Sequence, residues 1–108
     1  MSNKSEKIAA LNDAQRRMLN GVVSWTAGVE ALPHDQQAEL LRRMIRFDDF
    51  NEDNDPYGEH DFGVIEMDGQ RYFFKIDYYD LELTAHSPDP AESAVTQRVI
   101  TVMLADEY

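Results

Sequence analysis

The chain has 108 residues, 43% of them hydrophobic, and a formal net charge of −11 at pH 7. That length suits a single domain over 1–108 with one modest core. The absence of cysteine excludes a disulfide framework and thiolate metal sites, and no apolar run approaches the roughly 20 residues that span a bilayer.

The start, Met1 to Lys7, lacks the apolar stretch of a signal peptide, which points to a soluble, cytoplasmic protein. Residues 5–20 read as a helix with Ser5 as N-cap. Ile8, Leu11, Met18 and Leu19 recur at helical spacing, Gln15 breaks the stripe, and Asn20-Gly21 is the stop. Residues 22–29 are β-rich and read as a strand ending near Gly28. Leu32-Pro33-His34-Asp35 then opens a second helix, with Asp35 as cap. Its predicted apolar stripe is Ala38, Leu41, Met44 and Ile45, flanked by Leu40, and Arg42, Arg43 and Arg46 lie at its C-terminal end.

Asp68-Gly69 between two alternating runs predicts a tight hairpin, with Phe74, Ile76 and Tyr78 on one face of its second strand and Phe73, Lys75 and Asp77 on the other. Residues 80–94 read as a polar connection. The β-branched run Thr96 to Leu104 favours a further strand over a helix. Together these predict an α+β fold, with N-terminal helices packed on a small antiparallel sheet around a central β-hairpin.

Charge is segregated. Residues 1–46 carry seven basic and five acidic side chains, a net of +2, whereas residues 47–108 carry three basic and sixteen acidic ones, a net of −13. Seven carboxylates (Asp48, Asp49, Glu52, Asp53, Asp55, Glu59 and Asp61) fall in one short stretch with no Lys or Arg between them, interleaved with Phe50, Tyr57 and His60. Asn54-Asp55-Pro56-Tyr57-Gly58 within it is turn chemistry. Such a surface repels nucleic acid and anionic membrane and attracts basic protein surfaces. The bland alternative is a solvated acidic loop whose repulsion is relieved by Arg42, Arg43 and Arg46.

The segments Phe47-Asp48-Asp49-Phe50 and Asn54 to Gly63, with Lys75 to Asp80 and the ending Arg98 to Tyr108, resemble a family of short bacterial proteins of unknown function. That family is frequent in alphaproteobacteria and on mobile elements. The resemblance covers roughly residues 20–108 and implies conflict between host and plasmid or phage. It supplies no activity and no catalytic residues.

Against an enzyme stand the lack of a phosphate-binding glycine loop, of a nucleophile elbow and of a cysteine nucleophile. Asp49, Asn51, Asp53 and Asp55 follow the spacing of a calcium loop, but Asn54 stands where glycine is needed and His60 where the bidentate Glu belongs. A looser cation site, with or without hydrolytic chemistry, would draw on Asp53, Asp55, Glu59, His60 and Asp61. The preferred reading is a non-enzymatic protein without cofactor or catalytic residues, which binds a basic protein surface. Asp48, Asp49, Glu52, Asp53, Asp55, Glu59 and Asp61 would supply the charge, and Tyr57, Tyr78 and Tyr79 the anchors. Its sharpest form is a nucleic-acid mimic that inhibits a bacterial defence nuclease or surveillance complex, of the anti-CRISPR or anti-restriction kind. A homodimer is a further alternative.

Overall fold

A computed structural model describes residues 4–108. Met1, Ser2 and Asn3, part of the polar start noted above, lie outside the described residues. Among the described residues no helix is long and apolar enough to cross a membrane. Chain order is α1 (Lys4–Met18), β1 (Val22–Trp25), α2 (Ala27–Glu30), α3 (His34–Ile45), β2 (Phe62–Met67), β3 (Gln70–Tyr79) and β4 (Gln97–Leu104). Short 3₁₀ turns cover Ser93–Val95 and Ala105–Glu107. The fold is α+β, as the sequence predicts.

The four strands form one sheet in the order β1-β4-β3-β2. Both hairpin-side pairings are antiparallel, but β1 runs parallel to β4, so the sheet is mixed rather than wholly antiparallel. The long excursion through α3 and the hairpin supplies the crossover that a parallel pair requires. The Asp68-Gly69 turn has φ of 54° and 78°, the double left-handed geometry of a type I′ hairpin. It sets the register of Met67 opposite Gln70 and Phe62 opposite Lys75. The run after Thr96 is indeed a strand, β4.

One face of the sheet presents Tyr72, Phe74, Ile76, Tyr78, Ile100 and Val102 to Ile8, Val29, Leu40 and Met44 of the three helices. The opposite face carries half-buried Phe62, Val64, Phe73 and Val99, with Tyr108 laid against Phe62 and Phe73 at ring distances of 5.9 and 5.6 Å. Gly63 sits under the core face, where an added Cβ would lie 2.3 Å from Phe74 Cε2 and 2.9 Å from Phe47 Cε1. Gly63→Ala is therefore expected to destabilise the domain by about 1–3 kcal/mol through overpacking. Urea denaturation checks this, and an unchanged midpoint would mean that the rings move aside freely.

Several local expectations are corrected. Ser5 lies inside α1 instead of capping it. The helix turns Ile8, Ala9, Asn12, Gln15 and Arg16 inward, while Met18 is 70% exposed and Leu19, past the helix end with φ 51°, is also exposed. The buried positions keep helical spacing, but polar side chains fill more than half of them. The strand expected over 22–29 ends at Trp25. Thr26 N–H still bonds to Val102 O at 3.1 Å, and the chain then coils into α2, which drives Val29 fully into the core. Helix α3 begins at His34, placing Asp35 in its first turn, and buries Gln37, Leu40 and Met44, whereas Ala38 is exposed.

Candidate functional site: the acidic segment and its polar foundation

Residues 46–61 link α3 to β2, and two asparagines organise their first half. Asn51 Oδ1 accepts the N–H of Asp53 at 2.8 Å and of Asn54 at 3.2 Å. Asn54 returns a bond from Nδ2 to Asp49 O at 2.9 Å and accepts Asn51 N–H at 3.0 Å. These side chains replace the backbone pairing that an irregular segment lacks. Beneath them Phe47 and Phe50 meet edge to face, 5.0 Å apart, and Phe47 packs on Phe74 at 5.2 Å.

The second half turns on Asp55. This residue is 8% exposed, and its Oδ1 accepts the N–H groups of both Glu59 and His60 at 3.0 Å. The bonds hold Gly58 and His60 in left-handed conformations, φ 71° and 58°. For His60 that conformation is uncommon and needs external support. The support is visible: the ring stacks on Phe50 at 4.0 Å with 1° between planes, and Nδ1 lies 3.0 Å from both carboxylate oxygens of Asp13.

Under this turn, α1 inserts a polar foundation. Fully buried Arg16 donates through Nη1 to the carbonyls of Met44 (2.9 Å), Ile45 (3.2 Å) and Phe47 (2.8 Å), and through Nη2 to Asp13 at 2.7 Å; only its Nε lacks a partner. It is a cationic cap for the carbonyl end of α3, where the helix dipole favours positive charge. Its guanidinium carbon also lies 5.4 Å from the Phe50 ring centre and 5.7 Å from that of Phe74. One turn earlier, buried Asn12 donates from Nδ2 to Glu59 O (2.9 Å) and Tyr78 OH (2.8 Å), and accepts Arg98 Nε at 2.8 Å. Tyr78 OH donates onward to Glu59 Oε1 at 3.0 Å, and Arg98 Nη2 donates to Pro90 O. Burial drives the Tyr78 phenol far above its usual range, and the Asp61 and Glu59 carboxylates add to this, so the hydroxyl stays a donor. In the Asn12–Tyr78–Arg98 network the side chains bond to one another, to Glu59 and to the Pro90 carbonyl.

The structure therefore divides the sequence-predicted surface. Asp48, Asp49, Glu52, Asp53 and Tyr57 are exposed, Tyr57 to 78%. Asp55 and Tyr78 are turned inward and hold the fold, while Glu59, Asp61 and Tyr79 are half-buried. Asp49 and Asp53 line a shallow depression with Val64, Glu66 and Arg71. Among the described residues, the α3 arginines form no ion pair with the segment. Arg42 and Arg43 both pair with Glu39, Arg43 also donates to Glu66 O, and among the described residues Arg46 forms no ion pair. Among the described residues, no three His, Cys, Asp or Glu side chains are grouped to hold a metal ion.

Burial lifts the Asp61 carboxyl above its ordinary 3.8, and Glu59, Asp55 and Asp77 reinforce the shift. A carboxyl raised in the folded state supports folding while protonated. That contribution is complete below the unfolded-state value and is lost as pH rises through the folded one. Ionised Asp61 thus costs stability at pH 7. Asp61→Asn is expected to exceed the wild type there, with the gap closing as pH falls toward the ordinary carboxylate range. Paired urea titrations across pH test this; a variant less stable than wild type at pH 7 would contradict it.

Sequence reasoning missed Asn12, Asp13, Arg16 and Arg98. The one available signal was that Ile8, Asn12, Gln15 and Arg16 share a helical face. No curated protein and no solved structure matches the chain. The profile described as "Protein of unknown function (DUF3768)" matches residues 25–107, which contain the acidic segment, the whole hairpin and β4, so the chain belongs to that family of unknown function.

Proposed function

We propose that this chain is a non-enzymatic interaction protein that docks its acidic segment on a basic protein surface. The observation carrying this reading is that Asp48, Asp49, Glu52 and Asp53 are exposed and, among the described residues, form no ion pair. They stand on a backbone already held by Asn51, Asn54 and the aromatic packing below. A solvated loop needs no such anchoring. A partner gains from it, because a preordered segment loses little conformational entropy on binding. Tyr57, prominent at the tip of the turn, is the anchor that such an interface favours.

The finer form of the proposal is that the segment occupies a groove meant for nucleic acid, in a bacterial defence nuclease or surveillance complex in the cytoplasm. The net charge of −13 on residues 47–108 and the resemblance to proteins carried by mobile elements support it. The test is affinity capture from bacterial lysate with wild type and with the combined Asp48→Lys, Asp49→Lys, Glu52→Lys, Asp53→Lys variant. All four positions are exposed, so the variant is expected to keep its fold by circular dichroism. It should recover the partner about tenfold less well or worse, since reversing several charges at a complementary interface costs several kcal/mol. Equal recovery by both proteins would overturn the proposal.

A further inference from the structure

Beside the acidic turn, the edge of β3 is left open. Ile76 N–H donates to Asp61 O at 2.8 Å, where β2 begins, and Tyr78 C=O accepts Ser87 N–H at 3.0 Å, where the later connection returns to bridge Tyr79 with His86. Between these two points no strand among the described residues covers the edge. A cavity of about 360 Å³ opens there, lined by Asp61, Asp77, Tyr78, Tyr79 and His86 among others. Its charge is unbalanced. Asp77 is paired with Lys75 at 3.0 Å, but among the described residues Asp61 forms no ion pair. Glu59 and Asp55 lie near enough to raise Asp61 further. The walls are aromatic: half-buried Tyr79, and His86 set edge-on to Tyr78 at 6.4 Å.

We propose that this cavity receives the guanidinium of an arginine side chain from the partner. The inference rests on the reading of the acidic segment as a docking surface and names what the partner inserts beside it. A carboxylate without a counter-ion in a cavity lined by aromatic side chains suits a planar, weakly hydrated cation, which can pair with the carboxylate and stack on a ring. An ammonium group pairs but does not stack, so arginine is favoured over lysine.

The probe is Nα-acetyl-arginine amide, whose only charge is the guanidinium, titrated into isotope-labelled protein and followed by NMR. The expected result is saturable shifts confined to Asp61, Tyr79 and His86. Binding should be about tenfold weaker in Asp61→Asn, as expected for losing a charge-assisted pair. The matching citrulline amide, uncharged and nearly the same shape, should produce no such shifts. Shifts that are absent, scattered over the surface, equal with citrulline or unchanged in Asp61→Asn would overturn the proposal. Failure here alongside capture that still depends on Asp48, Asp49, Glu52 and Asp53 removes the arginine pocket alone. Success here with capture indifferent to those four residues supports the pocket and removes the reading of the acidic face.

Discussion

Replacing Arg16 by alanine is expected to cost about 3–5 kcal/mol, the loss typical of breaking a buried ion pair by removing one partner. The side chain is wholly inaccessible and satisfies three carbonyls at the end of α3 as well as Asp13. Its loss would strand those carbonyls, remove a counter-charge from Asp13 and open a cavity between Phe50 and Phe74. A domain of this size has only about 5–15 kcal/mol in total, so the variant should be marginal at 37 °C. Arg16→Lys should recover only part of the loss, because an ammonium cannot reach three carbonyls and a carboxylate in one plane. Arg17→Ala, one position on and exposed, should stay within about 0.5 kcal/mol of wild type. Urea midpoints of the three variants decide the matter. A midpoint for Arg16→Ala as close to wild type as that of Arg17→Ala would show that the buried cap contributes nothing.

Asn12→Leu is expected to cost about 3 kcal/mol, because the Tyr78 hydroxyl loses the N–H it accepts and buried Arg98 Nε loses its acceptor. Asn12 bridges Glu59, Tyr78 and Arg98, three residues distant from it in sequence. Its loss should act on the acidic turn as well as on global stability. Amide exchange at Glu59 and His60 should therefore quicken more than at the β3–β4 ladder. Uniform quickening across the chain would show that Asn12 supports the core alone and does not anchor the turn.

Both positions lie in α1, which precedes the family match at residues 25–107. The helix is nevertheless part of the matched unit's interior, since Arg16 closes α3 and Asn12 closes the turn before β2. The contrast with the hairpin explains what the sequence could reveal. Asp68-Gly69 is a two-residue rule, read without knowledge of any other part of the chain, and β4 followed from its β-branched composition. Helix α1 was legible as a helix, but its inward face was not. An apolar stripe predicts burial of Met18 and Leu19. The structure instead buries Asn12, Gln15 and Arg16, because their partners lie up to 86 positions away and no local pattern announces them. The same cause split the acidic segment. Composition marks all seven carboxylates alike, and only the fold shows that Asp55 is a structural acceptor while Asp53, two residues earlier, faces solvent.

We propose above that the exposed carboxylates compete for a surface that binds nucleic acid. The most direct measurement is displacement: the captured partner, bound to immobilised wild-type protein, is challenged with duplex DNA at low salt. DNA is expected to release the partner, and the free protein in turn to block DNA binding by that partner while the four-lysine variant does not. A partner that holds DNA and this protein at the same time would contradict the proposal.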